Sequence, residues 1–346
     1  MTQVSTKDIA QHIGISQRSV SKVLLGGKSN VRVSQATRRR IEEAARELRF
    51  RPNAAVQAVT RGRFKNVAFL MSTEDQTSNV TTGLMHGLHD ALAGYDMHLT
   101  VARLSDEELS DRDRIPRILR EWSADGLLIN YTHRVPPLME ELIDHYRLPA
   151  VWANIKRARD CVYPDDAAAG RLATEHLLEL GHRRIAYLSM TESRHYSVAD
   201  RRTGYCKAME EAGCEPRVMT PVFECKSRLP STFVDTRASV CRGLLANASV
   251  PTAVVTYSEG EVYPLLLAAA QSGIRVPEDL SVVGIGDRMI GLGVPVTTVW
   301  YHAKKMGRIM VDRLMKKIEE PRGSLPPLTV PYLLTRGAST ASIRHR

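Results

Sequence analysis

Short apolar runs alternate with helical hydrophobic patterns along most of this chain, from Phe64 onward. Typical runs read NVAFLM, ADGLLIN, RRIAYLSM and LSVVGIGD, and residues 168–180 and 262–272 have the spacing of amphipathic helices. Strands that alternate with helices in this way predict parallel sheets that carry helices on both faces. Two such sheets side by side, with a crevice at the carboxyl ends of their strands, predict a two-lobed core that binds a small molecule.

The net charge of the chain lies entirely in its N-terminal part. Residues 1–66 contain 14 Lys and Arg against 4 Asp and Glu, whereas the remaining 280 residues contain 34 basic and 34 acidic side chains. A polyanion is therefore attracted to one end of the molecule and hardly at all to the rest. This asymmetry favours a nucleic-acid partner for the N-terminal segment.

Two short helices are predicted in the basic segment, at about residues 7–26. Ser5 and Asp8 have the spacing of a capping box, Gly14 suits the end of the first helix, and Ser16 suits the N-cap of the second. Two such helices joined by a tight turn predict a helix-turn-helix, whose second helix enters the major groove of DNA.

The polar side chains of the second helix have the chemistry that base reading requires. The Arg18 guanidinium can bond to guanine O6 and N7, and the Gln17 amide can bond to adenine N6 and N7. A polar face of this kind is also typical of a solvated surface, and it is the charge asymmetry that favours DNA. The residues of this unit that are predicted to contact DNA are Ser5, Thr6, Ser16, Gln17, Arg18, Ser19, Ser21 and Lys22.

A third helix is predicted after Ser34, and Pro52 ends it. The segment that starts at Asn53 then has the pattern of a helix of about two turns, which is marginal in isolation. We expect this helix to order on DNA, with Asn53, Val56 and Val59 at the minor groove and a valine as an apolar wedge. The alternative is a plain linker helix.

The motifs STKDIAQHIGISQRSVSKVL and RVSQATRRRIEEAARELRFRPNAAVQ together resemble the headpiece and hinge of the lactose-repressor (LacI/GalR) family of bacterial transcription regulators. The resemblance implies that Gln17 and Arg18 read bases and that Val59 is the wedge. Two features depart from the family pattern. The loop at residues 26–32 is longer than the common form, with Leu25 where the family often has Asn. The valine at position 59 is smaller than the family's usual leucine wedge.

Three further motifs, GRLATEHLLELGHRRIAYL, IRVPEDLSVVGIGD and VPVTTVW, extend the resemblance over nearly the whole chain. It implies a three-helix headpiece at residues 1–51, a hinge helix at 52–62 and a type I periplasmic-binding-protein-like core at 63–346, whose chain crosses between two lobes three times. We expect the crossings near 154–165, 286–297 and 322–327, which assigns 63–156 and 297–322 to the first lobe and 163–287 and 327–340 to the second.

The resemblance also implies an effector pocket between the lobes. Arg201 matches the family's arginine that grips ligand hydroxyls or carboxylates, and Asn154 lies where many members have Asp. The residues predicted to bind the effector are Arg201, Asn154, Ser258, Asp287, Tyr131, Trp152 and Tyr196. Two further aromatic residues, Tyr257 and Trp300, are candidates for stacking on a ligand, and core packing is the alternative for every aromatic of this set.

This pocket is where the sequence departs most from the family. Ser258-Glu259 replaces the usual Asn-Asp, and Gly286-Asp287 replaces the usual Asp-Asp. A buried hydroxyl without a partner costs roughly 1–3 kcal/mol. The loss of a carboxylate at Gly286 and of an amide at Ser258 therefore indicates either an unusual effector or other side chains in their place.

These patterns predict a sequence-specific transcriptional regulator, a repressor, that binds a pseudo-palindromic operator as a homodimer and responds to a sugar or related metabolite. The alternative is a cytoplasmic small-molecule-binding protein of the periplasmic-binding-protein type. The C-terminal GASTASIRHR has no heptad pattern, which favours a dimer over a tetramer.

An enzyme is not expected. The sequence Gly284-Ile285-Gly286 begins a dinucleotide fingerprint, but Met289 stands at its third glycine position, and the chain has no P-loop. No cofactor and no metal are expected, because the five cysteines lack CxxC spacing and read as reduced thiols. The N-terminus has no apolar signal-peptide region and no apolar run approaches about 18 residues, so a cytoplasmic location is expected, on the nucleoid when the protein is bound to DNA.

Overall fold

The structure, a computed structural model, describes residues 4–26, 31–74, 77–78, 80–121, 123–191, 193–221, 230–246, 250–286 and 295–343, with the backbone alone for residues 54, 55, 59 and 230–234. In this part of the chain, four N-terminal helices precede two six-stranded sheets. None of the helices described is long and apolar enough to cross a membrane.

The first three helices form a small core of their own. They are α1 (Thr6–Ile13), α2 (Gln17–Leu24) and α3 (Gln35–Glu47). Ile9, Val20 and Ile41, one from each helix, are completely buried together, and each such side chain contributes about 1.5–3 kcal/mol. Each helix begins at a serine whose hydroxyl accepts a backbone N–H, which confirms the predicted N-caps Ser5, Ser16 and Ser34.

A fourth helix, α4 (Ala54–Arg61), links these helices to the sheets. Asn53 caps it, because its Oδ1 accepts the N–H of Val56 at 3.4 Å. Gly62 follows the helix with a φ of +72°, a left-handed conformation that glycine adopts without strain.

The first lobe is built on a sheet with the order β11-β5-β4-β3-β1-β2, in which every pair is parallel. Its strands are β1 (Asn66–Ser72), β2 (His98–Leu104), β3 (Gly126–Asn130), β4 (Ala150–Ala153), β5 (Cys161–Pro164) and β11 (Leu328–Val330). Its helices are α5 (Thr82–Gly94), α6 (Arg117–Arg120), α7 (Pro137–His145) and α12 (Ala303–Glu319), and two 3-10 turns lie at Glu108–Ser110 and Arg112–Arg114. Successive side chains of β1 point to opposite faces, so Phe69 packs with α5 and α12 while Leu70 packs on the side of α7.

The second lobe repeats this architecture with the order β12-β10-β9-β8-β6-β7. Its strands are β6 (Ile185–Leu188), β7 (Arg217–Met219), β8 (Ala253–Thr256), β9 (Ser281–Ile285), β10 (Thr297–Tyr301) and β12 (Tyr332–Thr335), and only the β10–β12 pair is antiparallel among the pairs described. Its helices are α8 (Asp166–Glu179), α9 (Tyr196–Glu211), α10 (Pro230–Leu245) and α11 (Glu259–Gln271). The predicted fold class, a helix-turn-helix unit followed by two parallel α/β lobes, is confirmed.

The three crossings between the lobes differ in part from the predicted ones. The chain passes between the sheets at 164–166, 301–303 and 330–332. The predicted boundaries place β10 in the first lobe and β11 in the second, but β10 pairs with β9 in the second lobe, and β11 pairs with β5 in the first. The sequence of a short apolar strand is compatible with either sheet. The lobe to which it belongs depends on the strand with which it forms hydrogen bonds, and the sequence does not specify that strand.

Candidate DNA-reading surface and inter-lobe cleft

The start of α2 presents an exposed polar surface. Gln17 and Arg18 are exposed, and Arg18 makes no hydrogen bond or ion pair with any residue that the structure describes. The Gln17 amide donates to Thr6 Oγ1 at 3.3 Å, which joins the starts of α1 and α2. Ser19 is half-buried, and its hydroxyl lies 2.9 Å from that of Ser16. Arg18 is therefore available to a base edge, and Gln17 is held at the same surface.

Two serines among the predicted DNA contacts, Ser5 and Ser16, cap their helices. The Ser5 backbone N–H and hydroxyl both donate to Asp8 Oδ2 at 2.7 Å. Both bonds lower the pKa of Asp8, and the backbone bond has the larger effect. Ser16 accepts the backbone N–H of Ser19 at 3.2 Å. Both serines fix the starts of their helices, while Ser21 and Lys22 lie half-buried farther along α2.

The hinge helix α4 is tied to the end of α2. Arg61 Nε donates to the carbonyl oxygen of Leu25 at 2.8 Å, and Gln57 Nε2 donates to that of Leu24 at 3.4 Å. The Val56 side chain is 45% exposed, which is unusual for a valine and leaves an apolar surface beside the basic helices. The side chain of Val59 lies outside the described residues.

A cavity of about 600 Å³ lies between the two lobes. The parallel strands of both sheets end at it with their carboxyl ends, which is the usual place for a ligand in this architecture. The residues that line it from the first lobe are Ser78, Val80, Thr81, Thr82, Thr132, Asn154 and Ala303. Those from the second lobe are Thr191, Ser193, His195, Ser197, Arg201, Tyr257, Ser258, Glu259, Gly286 and Tyr301.

Arg201 is fixed in this cleft by groups of the second lobe. Its Nε donates to Asp166 Oδ1 at 2.6 Å, its Nη1 to the carbonyl oxygen of Tyr257 at 2.6 Å, and its Nη2 to the Tyr332 hydroxyl at 3.0 Å. The Tyr332 hydroxyl in turn donates to Asp166 at 2.9 Å. Burial alone would lower the pKa of Arg201, but Tyr332 and Asp166 outweigh it and raise that pKa. A guanidinium has five N–H donors, so two remain for a ligand.

A hydrogen-bonded chain of side chains crosses the cleft. The Nε2 of His195 lies 2.9 Å from the carbonyl oxygen of Asn154 in the first lobe, and its Nδ1 lies 2.7 Å from the Ser197 hydroxyl, which lies 2.9 Å from that of Tyr257. A carbonyl only accepts, so Nε2 carries the hydrogen and Nδ1 accepts from Ser197. Burial lowers the pKa of His195, in keeping with this neutral ring.

Ser258 lines the cleft, but its side chain caps α11. Its hydroxyl donates to Glu261 Oε2 at 2.6 Å and accepts the N–H of Gly260 at 3.1 Å. The half-buried Glu259, the first residue of α11, lies against Gly286, where a Cβ would be 1.7 Å from Glu259 Oε2. The side chain of Glu259 thus fills the space that any side chain at position 286 would need.

The predicted effector residues fall into four groups. Arg201, Asn154 and Ser258 line the cleft, as does the further candidate Tyr257, and Asp287 lies outside the described residues. Tyr196 lies behind the cleft, where its hydroxyl donates to Asn154 Oδ1 at 3.3 Å.

The remaining three aromatic residues lie away from the cleft lining. Tyr131 is completely buried and bonds to the carbonyl oxygen of Leu104, and Trp300 Nε1 donates to Thr335. Trp152 lines a separate cavity of the first lobe, under the guanidinium of Arg157. Tyr131 and Trp152 therefore pack in the core of the first lobe, although each lies near the end of a strand.

Sequence reasoning missed most of the hydroxyl groups that line the cleft. Thr81, Thr132, Thr191 and Ser193 lie in loops after strands, and serine and threonine are ordinary in loops, so no pattern separates them. Their position just after predicted parallel strands was the one usable signal. Among the residues described, no group of three or more His, Cys, Asp or Glu side chains is arranged to hold a metal ion.

Two family models match this chain. The model described as "Bacterial regulatory proteins, lacI family" matches residues 5–53, and the model described as "Periplasmic binding protein-like domain" matches residues 174–340. The first match covers the basic helices, and the second covers most of the second lobe with the final crossings.

The chain is also similar to known proteins over nearly its whole length. It is 29% identical to the HTH-type transcriptional regulator CelR of Thermobifida fusca over 329 residues, which are 90% of this chain and 92% of that protein. A solved transcriptional regulator CelR–cellobiose complex has 26% identity and a TM-score of 0.64, over 97% of this chain and all of that one. A lac repressor dimer bound to operator and the anti-inducer ONPF shares the fold, with 20% identity and a TM-score of 0.78 over 98% of this chain and all of that one.

Proposed function

Since this chain belongs to the lacI family of bacterial regulatory proteins, and so is a DNA-binding transcriptional regulator and not an enzyme, we propose that it represses its target genes until a neutral sugar or related polyol binds between the lobes. The observation that carries this proposal is the cleft itself. The described residues that line it include seven serine and threonine hydroxyls besides Ser258, and the one guanidinium among these residues already has a carboxylate partner.

The chemistry of the cleft supports a neutral ligand. Hydroxyl side chains both donate and accept, which matches the hydroxyls of a sugar. The positive charge of Arg201 is offset by Asp166 at 2.6 Å, so the site has little attraction for an anion. The cavity volume of about 600 Å³ lies within the range of small-molecule sites. The similar CelR was solved with cellobiose, which makes neutral saccharides the first candidates.

The basic helices support operator binding through α2. We propose that Arg18 and Gln17 read base edges, that Ser5, Thr6, Ser16, Ser19, Ser21 and Lys22 contact the backbone around them, and that α4 inserts Val56 or Val59 into the minor groove with Asn53 at its start. Two copies of the chain would place two such units in successive major grooves of a pseudo-palindromic operator. The lac repressor was solved as a dimer on operator, which supports this arrangement.

Coupling between the two sites would pass through the lobes. A ligand that changes the angle between the lobes changes the separation of the two hinge helices in a dimer. The effect of effector on operator affinity must equal the effect of operator on effector affinity, and such coupling is typically 1–3 kcal/mol.

The test begins with duplexes selected by the full-length protein from a random pool. We expect a two-fold symmetric consensus and an affinity that falls steeply with salt. Arg18→Ala is expected to relax one base position in each half-site and to cost roughly 1–3 kcal/mol there. Arg39→Ala, which removes an exposed charge from α3, is the matched control, and we expect it to leave the consensus unchanged. Equal weakening by Arg18→Ala on every sequence would contradict the base-reading role.

A further inference from the structure

The strongest unassigned feature of the cleft is the contact between Glu259 and Gly286. A Cβ at position 286 would lie 1.7 Å from Glu259 Oε2 and 2.9 Å from its Cδ, distances at which no two such atoms coexist. Gly286 also has a φ of +155°, a conformation that L side chains rarely adopt. The carboxylate of Glu259 therefore occupies the space at the carboxyl end of β9 where a longer residue 286 would place its own side chain.

The other charged groups that the structure describes around the cleft already have partners. Arg201 pairs with Asp166 at 2.6 Å, and the buried Glu261 accepts bonds from Ser258 and from the backbone N–H of Met190. Glu259 receives no hydrogen bond and forms no ion pair with any residue that the structure describes, although it lines the cavity. An ionised carboxylate without a donor is costly when water is displaced from it, so a bound ligand has to supply the donors.

We propose that Glu259, which fills the space beside Gly286 at the end of β9, is an acidic group of the effector site, and that it selects ligands that present hydroxyl donors against ligands that carry a carboxylate or phosphate. This inference rests on the proposed function, because it requires the effector to occupy the inter-lobe cleft. Hydroxyls of a neutral saccharide satisfy the carboxylate, whereas an anionic ligand adds a like charge next to it.

The pair of positions also explains why both residues differ together. A carboxylate at position 286 would collide with Glu259, and a shorter residue at 259 would leave the space above Gly286 empty. Compared with the family's usual Asp at both positions, the cleft has one carboxylate fewer here, and the longer side chain of Glu259 extends into the space that Gly286 leaves.

The first experiment measures ligand affinity for the full-length protein with a defined panel. The neutral probes are cellobiose, glucose and ribose, and the matched anion is glucuronate, each added at increasing concentration while the unfolding temperature is followed. We expect at least one neutral probe to bind and glucuronate to bind more weakly than glucose. Glu259→Gln is expected to weaken the neutral probe about 10- to 100-fold, since it removes a charged acceptor, while Glu215→Gln, which removes an exposed carboxylate from the second lobe, has no effect.

The outcomes separate the inference from the function on which it rests. If no neutral probe stabilises the wild-type protein, the neutral-sugar part of the proposed function fails and this inference fails with it. If a neutral probe binds but Glu259→Gln binds it equally well, or glucuronate binds as tightly as glucose, only the role of Glu259 is overturned.

A position swap tests the shared space directly. In the wild-type background, Gly286→Asp is expected to weaken binding of the neutral probe, because its Cβ meets the Glu259 carboxylate. In a Glu259→Ala background the same Gly286→Asp change restores a carboxylate to an empty space, and we expect it to strengthen binding. A change of the same sign in both backgrounds would show that Glu259 and a side chain at position 286 do not compete for one space.

Discussion

Arg61, at the end of the hinge helix, donates from its Nε to the carbonyl oxygen of Leu25 at the end of α2, 2.8 Å away. The conformation at Gly26 makes room for this contact, because a Cβ there would lie 2.8 Å from the same Nε and the glycine φ is +79°. Helices α2 and α4 are therefore held together by a charged donor on a helix-terminal carbonyl, which is a favourable arrangement.

Loss of this contact is expected to weaken operator binding. Arg61→Ala should cost about 0.5–1.5 kcal/mol of operator affinity, the usual contribution of a hydrogen bond that is not deeply buried. The measurement is fluorescence anisotropy with the selected duplex. Arg63→Ala removes an equal charge two residues later. We expect it to lower operator affinity less than Arg61→Ala does, and its effect measures how much of the loss comes from charge alone. Equal losses for both variants would show that the contact with Leu25 contributes nothing.

The helical conformation of α4 can be tested with two prolines. Thr60 lies inside the helix, so Thr60→Pro removes an internal N–H and its ring collides with the carbonyl of Val56. Ala55 lies in the first turn, where a proline is tolerated because the N–H has no partner within the helix. We expect Thr60→Pro to abolish operator selectivity without changing affinity for the effector, and Ala55→Pro to keep selectivity. Selectivity retained in Thr60→Pro would mean that DNA binding does not require this helix.

The fold was largely predictable from the sequence, and the cleft was not. A parallel strand with helices on both faces reads as a continuous apolar run, and β1 and β9 both show this. The serine N-caps of α1 to α3 were also predictable, because each cap and the first apolar residues of its helix are close together in the sequence.

What the sequence could not supply was contact between distant segments. Tyr131 sits beside a strand end like a ligand-binding residue, yet its hydroxyl bonds to Leu104 in the core. His195 carried no pattern of its own and became visible only because α9 places it against Asn154, 41 residues away. The absence of a carboxylate at position 286 indicated an empty space in the cleft, and in the structure the side chain of Glu259 lies in that space.

The ion pair between Arg201 and Asp166 makes a strong prediction for stability. Their side chains are only 11% and 1% exposed, so Asp166→Asn leaves a buried guanidinium without its counter-charge. We expect a loss of roughly 3–5 kcal/mol in the free energy of unfolding, measured by urea denaturation. Tyr332→Phe removes one hydrogen bond of the same network and should cost only about 1 kcal/mol. A loss in Asp166→Asn no larger than in Tyr332→Phe would contradict the role of the charge.

Four histidines, two of them buried and two half-buried, predict that stability falls in mild acid. Burial lowers the pKa of His133, His176, His182 and His195 below the ordinary value of about 6.5. As the pH drops below 6.5, the unfolded chain binds protons that the native chain does not, so the free energy of unfolding decreases. Glu261 acts in the opposite direction, because burial raises its pKa and lets the native state take up a proton first.

The measurement is the free energy of unfolding from urea denaturation at pH 7.5, 6.5 and 5.5. Between pH 6.5 and 5.5 we expect a decrease of at most about 1.4 kcal/mol per histidine, since one proton per pH unit is the upper limit for each. His195→Gln removes one of these protons and should flatten the curve, whereas a Glu261→Gln variant should steepen it at its lower end. A stability that rises from pH 6.5 to 5.5 in the Glu261→Gln variant, where the opposing carboxyl is absent, would mean that the histidines are charged in the native state, and the neutral His195 ring between Asn154 and Ser197 would then be wrong.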